Sequence, residues 1–148
     1  MIEFKVSGFK ELERNLRKLP QEIAGKVLRE SLRKAAQPVV EQAKTAAPRS
    51  TDPGSQGHLA DSIALRSFKT EGLDDLEVNL WLGPSPKHFY GMFHEFGTRK
   101  MPARPFLRPA WDAQGNEVLD AFGRLLGAAI EKAARKLHKA ARKLHKSK

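Results

Sequence analysis

Five histidines are the first place to look for chemistry: His58, His88, His94, His138 and His145. A metallopeptidase helix needs two histidines four residues apart, with a glutamate after the first, so that both rings face one metal. Here His94-Glu95 is followed by Thr98 at the fourth position, one ligand short. His88 and His94 are six apart and do not share a helical face. His138 and His145 do share one, but their basic neighbours repel a cation. There are no cysteines, which excludes a thiolate zinc site, a disulfide framework and a cysteine nucleophile. Neither a phosphate-binding Gly-x-x-x-x-Gly-Lys loop nor a Gly-x-Ser-x-Gly elbow is present. The reading is a protein without catalytic residues, cofactor or metal.

The most concentrated chemistry is apolar. Phe89, Tyr90, Phe93 and Phe96 place four of eleven aromatics within eight residues. Spacings of four and three let one helical turn bury Phe89, Phe93 and Phe96, and Gly97 is suited to a left-handed cap ending that turn. Pro102, Pro105 and Pro109 then stiffen an arm carrying Phe106, Leu107 and Trp111 as apolar anchors, flanked by Arg104 and Arg108. A stiff arm loses little entropy on docking. It can equally fold back and pack its aromatics into the domain's own core.

Charge supplies the second feature. The chain of 148 residues carries a formal +10, but residues 124–148 hold nine basic side chains against Glu131 alone. The sequence therefore divides into a nearly neutral α+β body, 1–123, and a basic amphipathic helical extension, 124–148. Within the extension AARKLHK occurs twice in succession, at 133–139 and 140–146. Arg135, Lys136, Lys139, Arg142, Lys143 and Lys146 are candidate contacts for DNA or for an acidic partner, or they simply solvate the helix.

The elements that position these residues follow from periodicity. Ile2, Phe4 and Val6 alternate as a short strand. Phe9, Leu12, Leu16 and Leu19 mark an amphipathic helix that Pro20 stops. A second, long helix spans about 21–45, with Pro38 expected to kink or split it. Residues 46–57 are small, polar and turn-forming, hence a flexible loop. A helical turn at 59–63 leads into a strand near 64–70, and alternation at Leu76, Val78, Leu80 and Leu82 marks its hairpin partner. A last helix starts near Pro109 or Asn116, with a seam through Leu119, Leu126, Ile130, Ala133, Leu137, Ala140 and Leu144, fraying beyond Leu137. The expected fold is a small antiparallel sheet, hairpin plus N-terminal strand, packed against the long N-terminal helix, with a long basic C-terminal helix. No apolar run approaches the ~20 residues that span a bilayer, so no membrane partner is expected.

Glu95-Phe96-Gly97-Thr98, followed by Pro102-Ala103-Arg104-Pro105-Phe106-Leu107-Arg108-Pro109-Ala110, resembles the signature of the tail-completion, or neck, proteins of long-tailed lambdoid-type phages, also called head–tail joining proteins. Ala47-Pro48, Gly57-His58-Leu59 and Ser62-Ile63 are similar to further elements of that family, although the loop here is longer. The duplicated AARKLHK segment departs from it. The resemblance implies a non-catalytic virion protein, made in the host cytoplasm, that assembles as a homo-oligomeric ring, with six subunits favoured. Its implied partners are a head-completion or connector protein and a tail terminator or tail tube, with genome DNA in the channel as a further contact. On this reading Tyr90, Phe93, Glu95, Phe96, Gly97, Thr98, Pro102, Arg104, Pro105, Phe106, Leu107, Arg108 and Trp111 form the subunit or partner interface. The alternatives are a tail terminator that caps the tube, and a nucleic-acid-binding protein that uses the basic helix.

Overall fold

A computed structural model describes residues 9–49, 58–67 and 77–147. The elements in order are α1 (Phe9–Arg17), α2 (Gln21–Ala46), α3 (Leu59–Ser62), β1 (Ala64–Ser67), β2 (Leu80–Gly83), a 3-10 turn (Pro86–His88), α4 (Gly91–Phe96) and α5 (Leu107–Lys146). The architecture is α+β, with two long helices and one small antiparallel sheet. The N-terminal strand expected at residues 2–6, and most of the 46–57 loop, lie outside the described residues. Among those residues no helix is long and apolar enough to cross a membrane.

The chain forms two compact units. The first comprises Met1–Ala35, Glu71–Val78 and Leu119–Lys148. Its core joins Leu16, Leu19 and Ala24 to Leu126, Ile130 and Ala133, with Leu12, Ile23, Val27, Leu28, Phe122 and Leu137 packed around them. These are the stripes that three- and four-residue spacing puts on one face of each helix. Phe9 stacks on Phe122 with ring centroids 5.6 Å apart. Pro20 separates α1 from α2, and its carbonyl accepts the Ala24 N–H at 2.9 Å, the first bond of α2.

The second unit comprises Ala36–Thr70 and Asn79–Val118. Its buried apolar residues include Val39, Val40 and Ala43 of α2, Leu59, Ala60 and Ile63, and Phe106, Ala110 and Val118. Gln114 of α5 donates from its amide to Gln42 of α2 at 2.9 Å. The sheet pairs Ala64 with Gly83, Leu65 with Leu82, Arg66 with Trp81, and Ser67 with Leu80.

Two expectations need correction and a third is narrowed. Pro38 does not split α2, which runs unbroken from Gln21 to Ala46 with the proline inside it. Proline removes one backbone bond, and the bonds of the surrounding turns carry the helix past it. The second strand starts at Leu80 rather than 76, with Glu77–Asn79 outside it. Alternation says which face a residue takes, not how far the ladder extends. Finally, α5 starts at Leu107, near Pro109 and not at the alternative Asn116, and is helical through Lys146.

Candidate interaction surface around the Glu95 cap

Glu95 is the organising residue of the second unit's candidate site. It lies on α4, only 9% exposed. Its Oε2 accepts the backbone N–H of Phe106 at 2.7 Å and of Leu107 at 2.9 Å, and its Oε1 accepts that of Arg108 at 2.9 Å. These amides open α5, where the first turn has no intrahelical acceptors and the helix dipole is positive. A carboxylate there satisfies three donors with charge-assisted bonds. The short α4 is thus fastened to the start of a forty-residue helix.

The chain between them folds back tightly. Gly97 closes α4, its N–H donating to Phe93 O at 2.9 Å. Its φ is 75° and its ψ 171°, so the expected left-handed helical cap is corrected to an extended conformation with positive φ, a region essentially reserved for glycine. The chain leaves extended because it must enter a bridge at once: Thr98 and Met101 exchange backbone bonds at 2.8 and 3.3 Å. Thr98 Oγ1 accepts the Lys100 N–H at 3.3 Å. The Arg104 N–H then returns to His94 O at 2.7 Å. A Cβ on Gly97 would lie 2.8 Å from Ala103 N, so the close approach also demands glycine.

The arm therefore takes the fold-back course at its key anchor. Phe106 is fully buried in its own chain, and Leu107 and Trp111 are half-buried. Pro102, Arg104, Pro105 and Arg108 remain exposed. The aromatics of α4, and Phe89 just before it, do the reverse. Phe89, Phe93 and Phe96 were expected to share a buried turn, and instead are 61%, 46% and 77% exposed. The turn does form, but its inward position is taken by Glu95, whose carboxylate is needed at α5; Gly91 is the other buried residue of α4. Gly91 is held close, since a Cβ there would meet Leu59 Cδ1 at 2.8 Å and Pro84 Cγ at 3.1 Å. Outward, Phe89 and Phe93 meet edge to face at 6.0 Å, and Tyr90 and His94 at 6.4 Å. Met92, 54% exposed, and Tyr90, 37% exposed, extend the apolar surface.

Two supports had no distinct signal in the sequence. Arg66 on β1 donates from Nη1 to Gly83 O at 3.2 Å and Pro84 O at 2.9 Å, and from Nη2 to Ser62 O at 3.2 Å. It ties the end of α3 to the end of β2. Ser85 and His88 share a bond at 2.8 Å between Oγ and Nδ1, holding the 3-10 turn that leads into α4. Among the described residues no cluster of His, Asp and Glu is placed to hold a metal.

In the first unit, Arg135, Lys136, Lys139, Arg142, Lys143 and Lys146 all stand exposed on the last turns of α5. Beyond Leu137 every described residue is exposed, Leu144 at 71%.

No curated protein and no solved structure matches the chain. Residues 10–97, well over half of it, match the model of the HK97-gp10-like family, described as "Bacteriophage HK97-gp10, putative tail-component". That span closes on Glu95-Phe96-Gly97, where the capping carboxylate and the special glycine stand. The chain belongs to the HK97-gp10-like family of bacteriophage tail components.

Proposed function

We propose that the protein is a structural component of the phage virion that completes the head–tail junction by assembling into a ring, without catalysing a reaction. The observation that carries this is the outward aromatic face of α4. A chain that exposes Phe89, Met92, Phe93 and Phe96 together has an apolar patch of the kind that other protein surfaces cover. The patch sits on a helix fixed by the Glu95 cap, so its aromatics are presented with little entropy left to lose. A ring requires two different patches on each subunit, since its contacts run head to tail. The α4 face supplies one and the edge of the β1–β2 sheet the other, with the exposed residues of the 98–108 segment at the rim. Six subunits make the ring. Its neighbours are the head-side connector and the tail-side tube.

The test is a phage whose copy of this gene carries Phe93→Ser and Phe96→Ser. Both positions are exposed, so the purified variant should keep its melting temperature. Electron micrographs should show full heads and tails of normal length that are not joined. Tails of uncontrolled length would instead assign the protein to capping the tube. Normal joined virions built with the variant would overturn the proposal.

A further inference from the structure

We infer that the exposed end of α5, residues 135–146, binds double-stranded nucleic acid through its phosphates, independently of base sequence. The inference rests on different residues from the ring proposal, and neither needs the other.

Charge is the first ground. Of the residues from 124 onward, nine are basic and only Glu131 is acidic, lying 3.3 Å from Arg135. Arrangement is the second. Arg135, Lys139, Arg142 and Lys146 recur at steps of four, three and four, so they form one row along the helix, with Lys136 and Lys143 beside it. The eleven steps from residue 135 to 146 rise about 16 Å along the helix. Six positive charges over that length face a duplex that carries one negative charge per about 1.7 Å of its axis. Exposure is the third. All six side chains are exposed, as is every residue from 138 to 147.

Other occupants fit less well. An acidic protein helix would need an apolar seam as well as charge, and beyond Leu137 the apolar face offers only Leu144 and alanines. A stable protein interface covers about 800 Å² on each partner, far more than one leucine and a few alanines provide. A second copy of the same helix would bring like charge against like charge. Single-stranded nucleic acid is held chiefly by stacking on large aromatic side chains, and residues 124–148 contain no Phe, Tyr or Trp. Phosphate contact on a duplex is the chemistry that this surface offers. It lies outside residues 10–97, so it is a property of this chain beyond the matched span.

The experiment titrates the full chain into two labelled 30-base-pair duplexes of unrelated sequence and follows anisotropy from 50 to 200 mM NaCl. The two duplexes should bind within about threefold of each other, as phosphate contacts predict. With six phosphates neutralised, affinity should fall about a thousandfold across that salt range. Replacing all six basic residues with glutamine, a good helix former, should abolish binding at 50 mM. Arg142→Gln with Lys146→Gln, both in the exposed final turns, should lower the salt slope by about two. The same loss should not follow from Lys26→Gln with Lys34→Gln on α2. Absence of duplex binding at 50 mM, or binding that survives the sixfold variant, would overturn the inference. So would tighter binding of poly-glutamate than of the duplex at equal charge concentration, which would assign the surface to an acidic protein.

Discussion

Glu95 holds three backbone amides with two oxygens, one of those amides buried. Glu95→Ala leaves them without acceptors and should lower stability by about 2–3 kcal/mol, read from the urea midpoint at unchanged slope. Glu95→Gln keeps an acceptor but loses the charge at the helix N-terminus, and should cost about half as much. Gly97→Ala is a harsher change than its size suggests, because φ of 75° with ψ of 171° is strained for any side chain and Ala103 N stands 2.8 Å from the new Cβ. A loss of about 2 kcal/mol or more is expected in the same assay. Sequence marked both residues as belonging to the site but did not give their tasks. Glu95 acts on amides eleven to thirteen residues away, a distance over which spacing rules carry no information. The aromatics misled for a related reason: three- and four-residue spacing defines a face of α4, and the side that turns inward was decided by the carboxylate.

At the scale of elements, long periodic patterns were legible. The stripes through Leu12 and Leu16, Ile23 and Val27, and Leu126 and Ile130 are the ones that meet in the first unit's core. Short elements were less so, because a strand's length is set by the partner it pairs with, and among the described residues β1 and β2 share four pairs. Pro38 allows a direct check on how α2 bears its proline. It is exposed on a helix that continues to Ala46. Pro38→Ala restores a donor for the Lys34 carbonyl and removes the ring's clash with it. The penalty for an interior proline is about 3 kcal/mol, part of which the native helix has already relaxed. The variant should therefore gain about 1–2 kcal/mol in urea unfolding. A loss would mean that neighbouring residues depend on the backbone geometry that the proline sets.

At the scale of the whole molecule, α5 runs on past the first unit's core, and its residues 138–147 are all exposed. The seam read from the heptads holds where the helix packs, and the helix itself continues to Lys146. Packing needs an apolar partner, whereas α5 continues on the strong helix propensity of its alanine, lysine, arginine and leucine residues. This separates two truncations that look alike in sequence. Ending the chain after Ala129 deletes Ile130, 7% exposed, and Ala133, 9% exposed, both in the first unit's core. Losing a buried isoleucine alone costs about 2–5 kcal/mol, so that chain should unfold at markedly lower urea. Ending it after His138 keeps Ile130, Ala133 and Leu137; every described residue it removes, 139–147, is exposed, and the deletion takes away the charges of Lys139, Arg142, Lys143, Lys146 and Lys148. Its urea midpoint should stay within experimental error of the full chain, while the formal charge falls from +10 to +5. A destabilised 1–138 chain would show that the final turns of α5 support the fold itself, and that their charge is incidental to a structural role.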